Sequence, residues 1–453
     1  MDVHQSVWID IGQLRRGMYI QLDLGWMEHP FPKGSFKISS HEQIGAIRSL
    51  GLSRLRYYPA QSDPASESDF AALQEQLPPS MVSAPILSPV AAGPEGAERV
   101  TAASGSPTVA PMQEVEWLRS QRREQLANQQ RSLERCERKF GEAMVRFRRL
   151  AAVAGDQPKS AADQAAVLVQ SCVAEVLGAG DSAIRLLSET MGDRSSEHPV
   201  NVMVVSLLLG KALALPASDL QSLGLAAVLH DIGKAQVPER LRAVDEKFSA
   251  NERACYREHV GFGVALGKRM GLAPDVLAGI AQHHELVDGS GFPAGLRGEQ
   301  MSQAGKILAL VNLYDNLCNP ARLVNAITPH EALSMIFAQM KSRFDTATLG
   351  AFIRLMGVYP PGSVVQLVND AYGVVVSVNS ARPLKPRVIL HDQNLPREEA
   401  LIVDLEQRPD LGIRRSLKPA QLPASVRDYL ALRPRVCYYV ERSGGLDRLG
   451  SQA

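Results

Sequence analysis

The chain has 453 residues, with 49 Lys plus Arg against 48 Asp plus Glu, so no global field recruits nucleic acid or an acidic membrane surface, and an anionic ligand must be captured locally. The length allows roughly two to four domains and a large buried core. Five scattered cysteines without CxxC spacing exclude a disulfide framework and a thiolate zinc site and point to a reducing, cytoplasmic setting, while the lack of a long apolar run or signal-peptide order predicts neither membrane insertion nor export.

Residues 1–60 carry short apolar runs, VWIDI (7–11) and MYIQLDL (18–24), punctuated by Gly17, Gly25, Pro30 and Pro32. This pattern predicts a small β-rich module. Residues 61–111 lose it, and seven prolines between Pro78 and Pro111 predict a flexible or extended linker. Over 112–155 proline disappears and a long amphipathic helix is expected. Leu126, Leu133, Phe140 and Phe147 recur every seventh residue, with Cys136, Ala143 and Leu150 in the partner positions. Such a seam either packs on its own chain or pairs two chains into a homodimer through residues 112–150, and the spacing leaves both readings open.

Residues 156–357 read as mostly helical, as in AADQAAVLVQSCVAEVL and EALSMIFAQM, with one glycine-rich interruption. After Tyr359-Pro360-Pro361-Gly362 the period changes to two. VVQLV and GVVVSV flank Asn369-Asp370, a hairpin signal, and RVILH adds a strand, so 358–453 reads as a β module. The predicted fold is mainly α, an all-helical metal-binding domain flanked by the two β-containing modules.

The chemistry concentrates in the helical middle. HDIGK (His230 to Lys234) follows the apolar run LGLAAVL, and burying any of its polar groups unpaired would cost several kcal/mol. Either a helix continues and projects His230, Asp231 and Lys234 from one face, or the helix ends there with Gly233 as its cap. Five of the ten histidines lie between His198 and His284. Imidazoles and carboxylates without thiolates suit iron, manganese, nickel or zinc. With Asp231 as a bridge they could hold two ions about 3.5 to 4 Å apart. Downstream, HHELVDGSGFP (283–293) joins two more candidate ligands to a loop whose backbone can approach a phosphate.

Together, His198, His230-Asp231 with Gly233-Lys234, His259, and His283-His284-Glu285 with Asp288-Gly289-x-Gly291-Phe292-Pro293 resemble the HD-GYP domain, a branch of the HD metal-dependent phosphohydrolases. The resemblance spans about 190–357, and WIDIGQLRRGMYI and YPPGSVVQL resemble the flanks of a common HD-GYP architecture. It implies hydrolysis of cyclic di-GMP to pGpG or on to GMP. Carried over, it makes His198, His230, Asp231, His259, His283 and His284 ligands of two divalent ions, iron or manganese first, nickel or zinc next. Asp231 would be the bridge and Lys234 the stabiliser of the anionic transition state. Gly289, Gly291, Phe292 and Pro293 fall in the substrate-facing loop.

Three positions depart from the family. Arg194 stands where a third-metal carboxylate is common, which favours a binuclear centre. The usual Asp-x-Tyr-Asp reads Asn312-Leu313-Tyr314-Asp315, so Asn312 would ligate through a neutral carbonyl. The basic substrate-binding segment reads Asn319-Pro320-Ala321-Arg322, leaving Arg322 as its candidate. An active phosphodiesterase and a degenerate relative that binds a cyclic dinucleotide or a signalling-protein partner are therefore the competing functions.

Overall fold

The apolar runs at the start of the chain pair as strands. The computed structural model describes residues 7–11, 14, 16–22, 35–38, 41–48, 50, 52, 54–58, 62, 112–178, 182–188, 193–245, 247–378, 384–408 and 410–442. The chain divides into two compact units, Met1–Val109 and Ala110–Ala453. In the first, β1 (Val7–Asp10), β2 (Tyr19–Gln21), β3 (Ser35–Lys37) and β4 (Arg54–Tyr57) form an antiparallel sheet in the order β1-β4-β2-β3, with α1 (His41–Arg48) beside it. Ile20, Ile38, Ile44, Ile47 and Leu55 make its core. The expected linker at 61–111 lies outside the described residues, apart from Ser62.

In the second unit nine helices precede the main run of strands among the described residues: α2 (Met112–Val153), α3 (Pro158–Leu177), α4 (Arg194–Ala212), α5 (Ala217–Leu229), α6 (Ala250–Met270), α7 (Pro274–Gln282), α8 (Gln303–Cys318), α9 (Pro329–Met340) and α10 (Thr346–Met356). Every residue of α4 from Ser196 to Gly210 is buried, so this helix is the axis of the bundle rather than an amphipathic surface helix. Its start is fixed by Asp193, whose side chain accepts from Ser196 N at 3.1 Å. A reciprocal Ser249/Glu252 capping box starts α6, and Gly271 at φ +77° ends it.

The heptad seam of α2 divides. Cys136, Phe140, Ala143, Phe147 and Leu150 are buried in the main core, so this half packs on its own chain. Leu126 and Leu133 are only half-buried and Trp117 is 60% exposed.

The C-terminal hairpin forms as its turn residues dictate. β6 (Val364–Leu367) pairs with β7 (Tyr372–Val378) in the register Val364↔Val374, and Asp370 takes a left-handed φ of 65° in the turn. With β8 (Arg387–Leu390), β9 (Ile402–Asp404), β10 (Ile413–Leu417) and β11 (Tyr438–Arg442), and with α11 (Ala424–Leu430) between the last two, this region contributes six strands to a seven-stranded sheet. The seventh comes from within the helical stretch. β5 (Ser182–Leu186) joins α3 to the start of α4 and pairs antiparallel with both β7 and β11. The sheet is thereby stitched into the bundle next to α4.

Candidate metal centre

The apolar run of α5 ends at Leu229, and neither local reading of HDIGK is complete. The α-helix stops, Asp231 takes φ −100° and ψ 6°, and the chain continues as a 3-10 helix over Ile232–Gln236. Lys234 reaches back to Asp231, with Nζ 2.6 Å from Oδ2. Gly233 serves close approach rather than a left-handed cap: a Cβ there would lie 2.1 Å from His259 O and 2.3 Å from Gly263 N. Only glycine lets this turn press against α6 and bring His259 over Asp231.

The imidazoles are aimed by the backbone. His230 Nδ1 donates to Ala227 O at 2.7 Å, His259 Nδ1 to Tyr256 O at 2.6 Å, and His283 Nδ1 to Ile280 O at 2.7 Å. Each bond uses a carbonyl three residues upstream and leaves Nε2 as the lone-pair nitrogen. His198 is aimed by a side chain, its Nδ1 2.5 Å from Asp315 Oδ2. The free nitrogens then converge in pairs, with His198 Nε2 3.2 Å from His230 Nε2 and His259 Nε2 3.2 Å from His283 Nε2. Two lone pairs facing at that distance repel unless a proton or a cation lies between them.

Asp231 sits between the pairs. Its Oδ2 lies 3.4 Å from Nε2 of both His198 and His230, and its Oδ1 lies 3.5 Å and 3.7 Å from Nε2 of His259 and His283. His284 completes the second group. Burial alone would raise the Asp231 carboxyl, but the Lys234 ammonium and neighbouring imidazoles outweigh it and hold the group well below the usual carboxylate range. Burial pushes His259 down, and pushes His283 and His284 down much further, with adjacent imidazoles adding to it. His198 moves up, because Asp231 and Asp315 overcome the effect of its burial.

These residues fit divalent cations. Asp231 Oδ1 and His284 Nε2 are sealed from solvent and have no hydrogen-bond partner among the described residues. An unsatisfied buried polar atom costs about 1–3 kcal/mol, and a bound cation would remove that cost from both. The 3.2 Å nitrogen separations suit two ligands on one ion with bonds of roughly 2.0–2.1 Å.

The glycine-rich loop is tied to this centre through Glu285. That carboxylate, fully buried, accepts from Ala294 N at 2.6 Å and Leu296 N at 2.9 Å. Gly291 is required because a Cβ would lie 2.4 Å from Leu286 N, and Gly289 has φ +83°. Phe292 stacks on His284, ring centroids 4.4 Å apart and planes 19° apart, with the Arg257 guanidinium 4.8 Å over its ring. Pro293 is exposed beside it.

Six expected ligands and Lys234 are thus brought together, while Asn312 and Arg322 are engaged elsewhere. Asn312 is buried on α8 with its side-chain oxygen accepting from Asn316 Nδ2 at 2.7 Å. Asn316 in turn accepts from Arg194 Nη2 at 2.5 Å, and Arg194 Nε also donates to Asn319 O. Arg322 is exposed and pairs with Asp245 at 2.5 Å. Sequence reasoning left open the part played by Asp315, which orients His198. Asn201 and Asn319 donate to Asp315 Oδ1 at 2.5 Å and 2.9 Å, and their own oxygens accept from Tyr438 N and Val436 N. The only sequence signal for this chain of contacts was a lone acidic residue three positions after Asn312.

Residues 183–348 match the family described as HD domain, and residues 6–165 match one described as Domain of unknown function (DUF3391). The chain is 28% identical over 387 residues to the cyclic di-GMP phosphodiesterase PA4108 of Pseudomonas aeruginosa, spanning 84% of each chain. It is 28% identical over 152 residues to the cyclic di-GMP phosphodiesterase response regulator RpfG of Xanthomonas campestris pv. campestris, spanning 33% of this chain and 40% of that one. Against the 3'3'-cGAMP-specific phosphodiesterase 2 of Vibrio cholerae the identity is 29% over 167 residues, 35% of this chain and 31% of that one. Among the described residues no helix is long and apolar enough to cross a membrane.

Proposed function

We propose that the chain, which matches the HD domain over residues 183–348, is a metal-dependent phosphodiesterase of HD-GYP type hydrolysing cyclic di-GMP to pGpG, GMP or both. One observation carries the reading: the two oxygens of Asp231 face two separate imidazole groups, a donor set that suits two divalent ions bridged by one carboxylate. Iron or manganese suits this nitrogen and oxygen set best, with nickel or zinc next. Such ions, when bound, neutralise the phosphodiester charge and lower the pKa of the attacking water.

The chain's own residues do the positioning. His198, His230, His259 and His283 present nitrogens already turned inward by their backbone or carboxylate partners, and His284 is held by stacking on Phe292, so little reorganisation accompanies loading. Lys234 keeps its proton, since Asp231 outweighs the effect of its burial. It carries a fixed positive charge beside the bridge for the charge that develops on the phosphoryl oxygens. Gly289, Gly291, Phe292 and Pro293 would supply the loop surface on which a guanine base lies, with Phe292 stacked on His284, and Arg322 would serve substrate only after leaving Asp245. We place the protein in the cytoplasm, in keeping with its five free cysteines. The module before residue 60 is a natural receiver for signalling-protein input.

A second reading, a weak or inactive relative that binds a cyclic dinucleotide, is favoured by Asn312, whose oxygen is neutral and already accepts from Asn316. One assay separates them: purified protein loaded with manganese or ferrous iron is incubated with cyclic di-GMP, and with 3'3'-cGAMP in parallel, and the products are resolved. Metal-dependent release of pGpG or GMP is expected. Binding of cyclic di-GMP with no turnover under either metal would favour the receptor, and selective cleavage of 3'3'-cGAMP would reassign the substrate.

A further inference from the structure

A second concentration of charge lies where the sheet meets the helices, away from the histidines. A cavity of about 300 Å³ is lined by Arg185, Arg397, Arg433 and Arg435, and by no acidic side chain, while Val364, Val374, Val376, Ile389, Leu430 and Ile327 supply apolar wall. None of the candidate metal ligands lines it. The arginines are graded in depth: Arg185 is 4% exposed, Arg397 and Arg435 are half-buried, and Arg433 is exposed at the rim.

Their partners leave donors to spare. Arg185 faces Glu441 at 3.6 Å and Arg435 faces Glu197 at 3.3 Å, carboxylates that stand outside the lining. The Nε atoms of both arginines are nevertheless buried without a hydrogen-bond partner among the described residues. Arg397 donates to Tyr429 O at 2.8 Å and Arg433 to Ser188 O at 2.5 Å, both neutral acceptors. Burial and then the nearby Arg433 lower the hold of Arg397 on its proton, and Glu398 offsets this only in part.

We propose that this cavity is a binding site for an organic phosphate of mononucleotide size, its phosphate held by the arginines and its body by the apolar wall. Guanidinium forks match phosphate oxygens in charge and geometry, and a bound dianion would pair with Arg397 and Arg433, whose acceptors here are neutral carbonyls. The volume lies at the lower end of small-molecule sites, and the mainly apolar wall would be left wet by inorganic phosphate alone. The occupant would share Val436 with the contacts that run through Asn319 and Asp315 to His198. The inference does not depend on the hydrolytic reading.

Calorimetric titration of the full chain with GMP and with AMP, against guanosine and inorganic phosphate as controls, tests it. At least one nucleotide should bind near one equivalent, with guanosine and phosphate about tenfold weaker or worse, as expected when charge-assisted contacts or the apolar body are removed. Binding should persist in Asp231→Ala and weaken about tenfold or more in Arg397→Gln/Arg433→Gln, by the same charge-assisted contacts. Should the double variant fail to fold, phenylglyoxal labelling of the wild type read by peptide mass replaces it, and the nucleotide should protect Arg397 and Arg433. Absence of nucleotide binding, binding lost in Asp231→Ala but kept in the arginine variant, or labelling unchanged by nucleotide would each overturn the proposal.

Discussion

The histidine centre and the arginine cavity both crowd like groups against a buried surface, yet they do so with opposite polarity. In the centre, backbone carbonyls and Asp315 occupy the Nδ1 atoms and turn lone pairs inward, around a carboxylate held ionised. In the cavity, Glu441 and Glu197 balance two guanidinium groups from outside the lining, and four arginines line one space with no acidic side chain among them. Lone pairs converging on an anion select a cation, and converging donors select an anion. What decides the ligand is which atom of each side chain is consumed by the surroundings. The two regions meet through Asn319, which touches both Asp315 and Val436.

Removing the shared carboxylate should break the centre most completely. Asp231→Ala leaves at least five imidazoles facing one another without the anion that draws cations to both groups. Metal content by mass spectrometry should fall together with cyclic di-GMP hydrolysis, the latter by about a hundred- to a thousandfold, the range for losing one electrostatic stabiliser of a transition state. A folded variant with its full metal complement would refute the bridge. Asp315→Asn should come next. It keeps the shape but removes the charge that aims His198, and outer contacts of this kind are worth about 10–100-fold in metal affinity or activity. Arginine-cavity binding should be little changed in Asp231→Ala, whereas Asp315→Asn disturbs the Asn319 contact and could reach both sites.

Much of this was legible in the sequence, and the limits have physical causes. Histidine spacing with HDIGK located the candidate centre because His230, Asp231, His283 and His284 sit together at helix ends and turns, whereas His198 and His259 lie within helices and were legible by residue type alone. The hairpin was legible because Asn369-Asp370 supplies the turn chemistry. β5 was not, since SAIRL is a single short run between helices and its partner β11 lies at the far end of the chain. The role of Gly233 depends on α6 crossing it, and the bond from Asp315 to His198 depends on α8 packing against α4. Neither follows from local pattern. The cavity was invisible because Arg185 is buried on a strand and its companions come from distant loops, where each arginine alone reads as solvated surface.

Acidification offers a way to sharpen the contrast between the two groups of the centre. His259, His283 and His284 have native values below the ordinary imidazole value of 6.5. As pH falls through that value the unfolded chain takes up protons that the native chain refuses, so native stability declines. His198 runs the other way: its raised value contributes stability that is present below 6.5 and lost as pH rises through its native value. Three groups against one predict a lower melting temperature for chelator-treated protein at about pH 5.5 than at about pH 7.5. A higher one would mean that the carboxylates around His198 dominate. Asn312→Asp is expected to act more mildly, raising metal affinity a few-fold by adding charge to α8, roughly the scale of one partly screened charge. Equilibrium dialysis would detect it, and weaker metal retention would show that the neutral amide with Asn316 is what the site requires.

The smallest effect is expected where α2 leaves the core. Its half from Cys136 to Leu150 is already consumed by its own chain, so charged residues at Phe140 would unfold the protein and say nothing about pairing. Leu126 is half-buried and Trp117 exposed, and these remain available to a second copy. If two chains pair along this stretch, each apolar side chain buried there contributes roughly 1.5–3 kcal/mol. Trp117→Glu/Leu126→Glu would then dissociate the dimer by destabilising only the exposed half, leaving the melting temperature of the monomer and the metal content unchanged. Light scattering across dilution reads the mass directly. A wild-type monomer at tens of micromolar would discard pairing through α2, and loss of thermal stability in the double variant without change of mass would assign Leu126 to contacts within its own chain.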